Sequence, residues 1–293
     1  MREWKWDTHY IYQKDVLEYL QHVVERHDLR KDIHFETELT GAEWDDTARR
    51  WTVTTSIGVR FKARYLVAAL GLLSRQNLPD IPGLSSYKGE VYHTGRWPDN
   101  VQLEGKRVGV IGNGSTGVQV ITEVAPYVKR LVSFQRNPQY SVPSGQGAVS
   151  KDYRQEVNKD YPEIWDNARD SLFAFGFHEI SDKKTMEVSP EERNRIFEEA
   201  WNTGGGFRFM FGTFSDISTD PAANEAACEF IKGKIRQTVK DPEKAEKLMP
   251  RQMYARRPLC DAGYYERFNR ENVSDVLFMY LRHVLTNSFL GAG

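Results

Sequence analysis

The residues best suited to chemistry in this sequence are six in a row, Gly112, Asn113, Gly114, Ser115, Thr116 and Gly117. They read as a G-x-G-x-x-G turn that follows an apolar stretch, Arg107 to Ile111, and opens a helical pattern from Thr116 to about Ala125. In that setting Gly112 allows a tight turn, Gly114 lets the backbone approach a pyrophosphate, and Gly117 lets helix and strand pack closely. A helix N-terminus at this place offers free N–H groups and a positive dipole end to phosphate oxygens. The competing reading is a tight strand–helix turn that binds nothing; the strand-turn-helix context favours a dinucleotide.

Which dinucleotide depends on the end of the next strand, where a carboxylate would bond the ribose 2′-hydroxyl and select NAD. That place holds Ser133, Phe134, Gln135 and Arg136. With no carboxylate to repel a 2′-phosphate and a guanidinium to grip it, the site favours NADP; the alternative for Arg136 is a solvated surface arginine.

Other chemistries find little support. Seven histidines are scattered, His22 and His27 being five apart with no ligand-spaced cysteine or carboxylate, so no metal is expected. Neither a G-x-S-x-G elbow nor a Walker motif occurs. Net charge is -1, from 40 Lys+Arg against 41 Asp+Glu, which leaves no basic footprint for nucleic acid. The longest uncharged, mostly apolar run, Tyr65 to Ser74, is far too short to cross a bilayer. A charged, Trp-containing start does not resemble an export signal, and Cys228 and Cys260 are too few for a disulfide framework. Together these predict a cytoplasmic, reduced protein.

The elements that must position the turn follow from periodicity. Val16, Leu17, Leu20, Val23 and Val24 predict an amphipathic helix within Asp15 to His27. Alternation then predicts a short antiparallel meander with strands at Ile33–Leu39, Trp51–Thr55 and Val59–Phe61, Asp45-Asp46 being a turn. The apolar run Tyr65 to Leu70 predicts a fully buried strand. Pro79, Pro82 and Pro98 predict an extended crossing between domains. Strand Arg107–Ile111, helix from Thr116 and strand Arg130–Phe134 form a βαβ unit. Tyr153 to about Leu248 predicts a helical insertion, with starts at Ser189-Pro190-Glu191-Glu192, a capping box, and at Asp220-Pro221 and Asp241-Pro242. The aromatic run Phe207, Phe209, Phe211 and Phe214 suits either a substrate pocket or helix packing.

From Tyr87 the sequence runs Tyr87-Lys88-Gly89-Glu90-Val91-Tyr92-His93-Thr94-Gly95-Arg96-Trp97-Pro98. An aromatic, a spaced glycine, a histidine and Trp-Pro ahead of a glycine turn resemble the fingerprint of Baeyer–Villiger monooxygenases, flavin-containing enzymes, here of the cyclohexanone-monooxygenase branch. The stretches 112–143, 204–250 and 257–272 resemble corresponding parts of that branch, and 4–69 resembles its helix and meander. The resemblance implies an α/β fold of the FAD/NAD(P)-binding Rossmann-like type, a two-dinucleotide-binding-domain flavoprotein with a helical insertion at about 141–250. It implies FAD and NADP as cofactors, and a ketone converted with O2 to an ester or lactone. It also implies Arg257 as the catalytic arginine that supplies positive charge, with Arg256, in the family's usual lysine position, near the NADP 2′-phosphate. Tyr87, Gly89, His93, Trp97 and Pro98 carry the fingerprint; His93 reads as a hydrogen-bonded hinge rather than a general base, and Trp97 as an anchor.

Against the family the chain looks incomplete at both ends. The expected division is a partial FAD-binding domain over 1–75, without its own glycine turn, and an NADP-binding domain over 76–293 whose C-terminal end is incomplete. From Ser274 to Gly293 the sequence no longer matches, and Ala69-Leu70-Gly71 stands where the family has Ala-Thr-Gly. The isolated chain is therefore expected to bind FAD weakly or not at all. The alternatives are a non-catalytic NADP-binding fragment and a related flavin N-hydroxylating monooxygenase, the latter less in keeping with Trp97-Pro98 and the 257–272 match.

Overall fold

The computed structural model describes residues 4, 6–71, 73–171 and 180–277. They gather into two compact units: a larger one of Met1–Tyr10, Pro82–Lys88 and Pro98–Gly293, and a smaller one of Ile11–Ile81 and Gly89–Trp97.

The smaller unit starts with helix α1, Gln13–Arg26, whose first turn is tied by the Tyr12 N–H donating to Asp15 Oδ2 at 2.9 Å. Strands β1 (Leu39–Asp45), β2 (Arg50–Thr55) and β3 (Arg60–Ala63) make an antiparallel meander in that order. Asp45 Oδ1 closes the first hairpin by accepting from the Thr47 and Ala48 N–H groups, both at 2.9 Å. The directly paired Trp44 and Trp51 pack with ring centroids 5.5 Å apart.

Two expectations fail in this unit. The predicted strand Ile33–Leu39 does not form: Leu29–Asp32 is a 3-10 turn and Glu36 adopts φ 52°, a left-handed turn conformation that breaks an extended run. Pairing therefore begins at Leu39 and continues through Gly41, with an irregularity in register between them. Nor is Tyr65–Leu70 a buried strand. It is irregular, with Tyr65, Val67 and Leu70 at 75%, 83% and 76% exposure. A buried strand needs neighbours for its N–H and C=O groups, and among the described residues no strand runs beside this one. Among the described residues from 64 to 106, the proline-rich crossing holds just the short turns Leu84–Ser86 and Thr94–Arg96.

The larger unit is built on β4 (Arg107–Ile111), α2 (Ser115–Val124) and β5 (Arg130–Gln135), within about one residue of the expected βαβ unit. Then come β6 (Ser141–Pro143), the insertion helices α3 (Lys151–Lys159), α4 (Tyr161–Asp170), α5 (Pro190–Thr203), α6 (Pro221–Thr238) and α7 (Pro242–Lys247), and finally β7 (Leu259–Asp261), α8 (Tyr264–Arg267) and β8 (Val273–Leu277). Part of the predicted insertion, 172–179, lies outside the described residues, as does the tail 278–293. The sheet is parallel in the order β4-β5-β8, and β6 pairs β7, also parallel. Strand β8 begins where the sequence stops matching the family: Ser274 to Leu277 pair with β5 in unbroken register, through backbone hydrogen bonds that do not depend on side-chain identity.

Three insertion helices start where capping chemistry predicts. Asp220 Oδ1 accepts from Ala223 N–H at 2.9 Å, Asp241 Oδ1 from Glu243 N–H at 2.9 Å, and Ser189 Oγ from Glu192 N–H at 3.2 Å. Behind α5 and α6 the aromatic run resolves mainly as packing. Phe209 and Phe214 are fully buried, each ring centroid 5.3 Å from that of the equally buried Phe197. Phe207 and Phe211 are half-buried and stack on each other at 6.0 Å. At the far end of α2, Arg267 Nε donates to Thr122 O at 2.9 Å and Asn272 Nδ2 to Ala125 O at 3.1 Å, satisfying carbonyls a helix end leaves free.

Among the described residues one buried acid sits in this unit. Asp275 is 7% exposed, pairs in register with Ser133, and its Oδ2 has no hydrogen-bond partner. Burial pushes its pKa up to about 6, against the pull of the Lys247 ammonium. The folded chain then binds this proton more tightly than the unfolded chain, so the contribution is full below about pH 4 and lost as pH rises through about 6. Asp275→Asn should therefore stabilise the protein at pH 8 by on the order of 1–2 kcal/mol, with much less effect near pH 4, as read by urea unfolding at both pH values. Asp220→Ala should cost about 1 kcal/mol in the same measurement at pH 8.

Candidate dinucleotide site

The glycine turn sits between β4 and α2. Gly112 has φ +99°, a left-handed conformation open to glycine, and its N–H donates to Phe134 O at 2.9 Å. Gly117 requires glycine for another reason: a Cβ there would lie 2.0 Å from the Gly112 carbonyl oxygen. This contact brings the first turn of α2 directly against the loop. Gly114, the residue that caps α2, faces open space, with no heavy atom within 4 Å of where its Cβ would be. Gly114, Ser115 and Thr116 are all exposed, and the helical ladder starts with Val118 N–H to Gly114 O at 2.9 Å. The N–H groups of Ser115, Thr116 and Gly117 thus have no intrahelical acceptor and are free for phosphate oxygens.

Asn113 faces inward. Its Nδ2 donates to Gln135 Oε1 at 2.9 Å and to Asn137 O at 3.0 Å, so its side chain shapes the turn while its backbone forms it. Gln135 is fully buried at the last position of β5, and its Nε2 donates to Lys247 O at 3.1 Å. Sequence reasoning missed this residue as a partner of the turn. Its one outward sign was an amide two positions after Ser133 in a strand otherwise bounded by arginines.

Arg136 follows β5 directly, is exposed, and forms no ion pair among the described residues. Arg256 and Arg257 are exposed as well and line a small recess with Gln139, Tyr140 and Leu259. No carboxylate lines that recess, and Gln139 lies on the segment that continues from Arg136. The described structure thereby places a phosphate-ready helix terminus, an unpaired arginine at the strand end, and two more arginines beside the following segment in one unit.

The fingerprint residues are divided. Tyr87 and Pro98 belong to the larger unit, Gly89, His93 and Trp97 to the smaller. His93 is half-buried, and its Nδ1 accepts from Gly95 N–H at 3.0 Å, capping the Thr94–Arg96 turn. An accepting Nδ1 in a neutral ring puts the proton on Nε2. Trp97 packs on Tyr92 with centroids 5.9 Å apart. Among the described residues no group of three or more His, Cys, Asp or Glu could hold a metal ion, and no helix is long and apolar enough to cross a membrane.

A parallel βαβ sheet, a glycine turn and an exposed helix N-terminus define the FAD/NAD(P)-binding Rossmann-like class of oxidoreductase. A family model described as pyridine nucleotide-disulphide oxidoreductase matches residues 2–213, and the chain belongs to that family. It is similar to cyclohexanone 1,2-monooxygenase from Acinetobacter sp, at 53% identity over 90% of this chain and 48% of the relative. It is also similar to a phenazine N-monooxygenase from Lysobacter antibioticus, at 52% identity over 92% of this chain and 50% of the relative. Among solved structures it resembles a cyclohexanone monooxygenase from Rhodococcus sp. bound to NADP+, with TM-score 0.91 and 54% identity over 95% of this chain and 52% of that one. The chain spans about half the length of the curated relatives it matches.

Replacing Gly117 by alanine should push α2 off the loop. Thermal unfolding of Gly117→Ala is expected to report a loss of on the order of 2–3 kcal/mol, the usual cost of forcing an atom into a closed contact.

Proposed function

We propose that this chain holds NADPH for an FAD- and NADPH-dependent monooxygenase that inserts one oxygen atom of O2 into a ketone to give an ester or lactone. The observation that carries the nucleotide part is the end of β5. The position where a carboxylate would bind a ribose hydroxyl is filled by Gln135, whose amide is used internally, and the next residue is the unpaired Arg136. A 2′-phosphate there meets a guanidinium and no repelling acid. The ketone part draws support from the cyclohexanone monooxygenase relatives.

In this reading the α2 N-terminus and the backbone of Gly112 to Gly117 bind the pyrophosphate, while Arg136 and Arg256 hold the 2′-phosphate. Arg257 contributes a fixed positive charge where an oxyanion develops, which is most effective in a site that excludes water. FAD, when bound, supplies the oxygen-transfer chemistry. Among the described residues a single strand–glycine turn–helix is present, and it suits NADP; the partial FAD domain over 1–75 belongs to the same proposal. So does a cytoplasmic location, which the free thiols of Cys228 and Cys260 suit. A second reading, oxygenation of nitrogen, rests on the phenazine N-monooxygenase matching this chain as closely as the ketone enzyme does.

Two measurements test the proposal. With FAD added in large excess, to offset the weak binding expected of this chain, NADPH oxidation should depend on a cyclic ketone and yield lactone by mass spectrometry. Turnover confined to an aromatic N-heterocycle would establish the second reading, and NADPH binding without any turnover would reduce the chain to a non-catalytic NADP-binding protein. Arg136→Ala should raise the NADPH dissociation constant about tenfold or more and change that of NADH less than about twofold. Equal effects on both nucleotides would remove Arg136 from the 2′-phosphate site.

A further inference from the structure

Gln135 makes a demand on chemistry that its neighbours do not. Its Oε1 takes the hydrogen bond from Asn113 Nδ2, so its Nε2 must be the donor to the Lys247 carbonyl, the last residue of α7. One arm accepts and the other donates, in a fully buried place. An amide satisfies both; a carboxylate can accept at both ends and donate at neither, setting an anionic oxygen against a carbonyl without water to screen it. The far end of this relay is itself anchored. Asp241 caps α7, and Lys244 Nζ donates to the carbonyls of Phe268 at 2.9 Å and Val273 at 2.8 Å. The near end is the glycine turn, where Asn113 is also held by Asn137 O.

We propose that Gln135 is the positioning residue of the dinucleotide site: its buried amide couples the glycine turn to α7 and thereby sets how tightly NADPH binds. The inference rests on the turn being the NADPH site. It goes beyond that reading by giving the insertion helix α7, which carries no phosphate-binding residue, a hold on the turn through Gln135 and Asn113. It also assigns the strand-end position a second task. The same amide that excludes a ribose-binding carboxylate keeps the turn in shape, so exchanging it for the acid that NAD selection calls for would disturb the loop before it could bind a ribose.

The test is NADPH binding by the whole chain and its Gln135→Glu and Gln135→Met variants, titrated at pH 8 and pH 6, with folded content checked by circular dichroism. Each variant is compared with wild type at the same pH, which removes the effect of phosphate protonation. Gln135→Glu should bind about tenfold more weakly at pH 8 and recover to within about twofold of wild type at pH 6, because a protonated glutamic acid regains the donor toward Lys247 O. Gln135→Met loses both bonds and should bind about fivefold more weakly at both pH values. A merely structural role would weaken folding without a pH-dependent affinity ratio. Wild-type affinity in folded Gln135→Met, or a pH-independent ratio in folded Gln135→Glu, overturns the coupling alone. Absence of NADPH binding by wild type overturns the reading of the turn and this inference with it.

Discussion

The approach of Gly117 to the carbonyl of Gly112 is the constraint on which the larger unit depends. With a Cβ position only 2.0 Å from that oxygen, the first turn of α2 is pressed onto the loop, beside the open space at Gly114. Everything else holds this arrangement. The Gly112 N–H extends the β4–β5 pairing, Asn113 is pinned from below by Gln135, and the far end of α2 is tied through Arg267 and Asn272 to the segment that leads into β8. A helix so held keeps its positive dipole end fixed at the loop.

Charge is distributed unevenly around this loop. Arg136, Arg256 and Arg257 are exposed and form no ion pair among the described residues, no carboxylate lines the recess beside Arg256 and Arg257, and the Asp275 carboxyl on β8 is buried and pushed toward the neutral form. Positive charge without local competition is what a 2′-phosphate requires. The aromatic cluster around Phe197 serves a different end: it fastens α5 and α6 into the core, each fully buried ring contributing about 1.5–3 kcal/mol of burial.

The βαβ unit and the helix starts at Ser189, Asp220 and Asp241 were legible because local rules determine them: a glycine turn between strand and helix patterns, and an oxygen-bearing residue ahead of proline. What the sequence did not reveal depends on partners distant in the chain. Tyr65–Leu70 has the composition of a buried strand, yet composition cannot supply the neighbour that a strand needs. The predicted strand at Ile33 gave way to a left-handed turn at Glu36, a residue type with no special preference for it. Strand β8 escaped notice because it pairs through backbone with β5, well over a hundred residues away. Gln135 was passed over because its significance lies in the orientation of an amide between Asn113 and Lys247, which no spacing rule encodes.

Hydrogen exchange followed by mass spectrometry tests directly whether NADP binds at the glycine turn. Adding NADP+ should slow exchange of the amides in residues 112–118 and 136–140, while α1 and the meander β1–β3 keep their rates. Protection confined to the smaller unit, or no protection at saturating nucleotide, would contradict it.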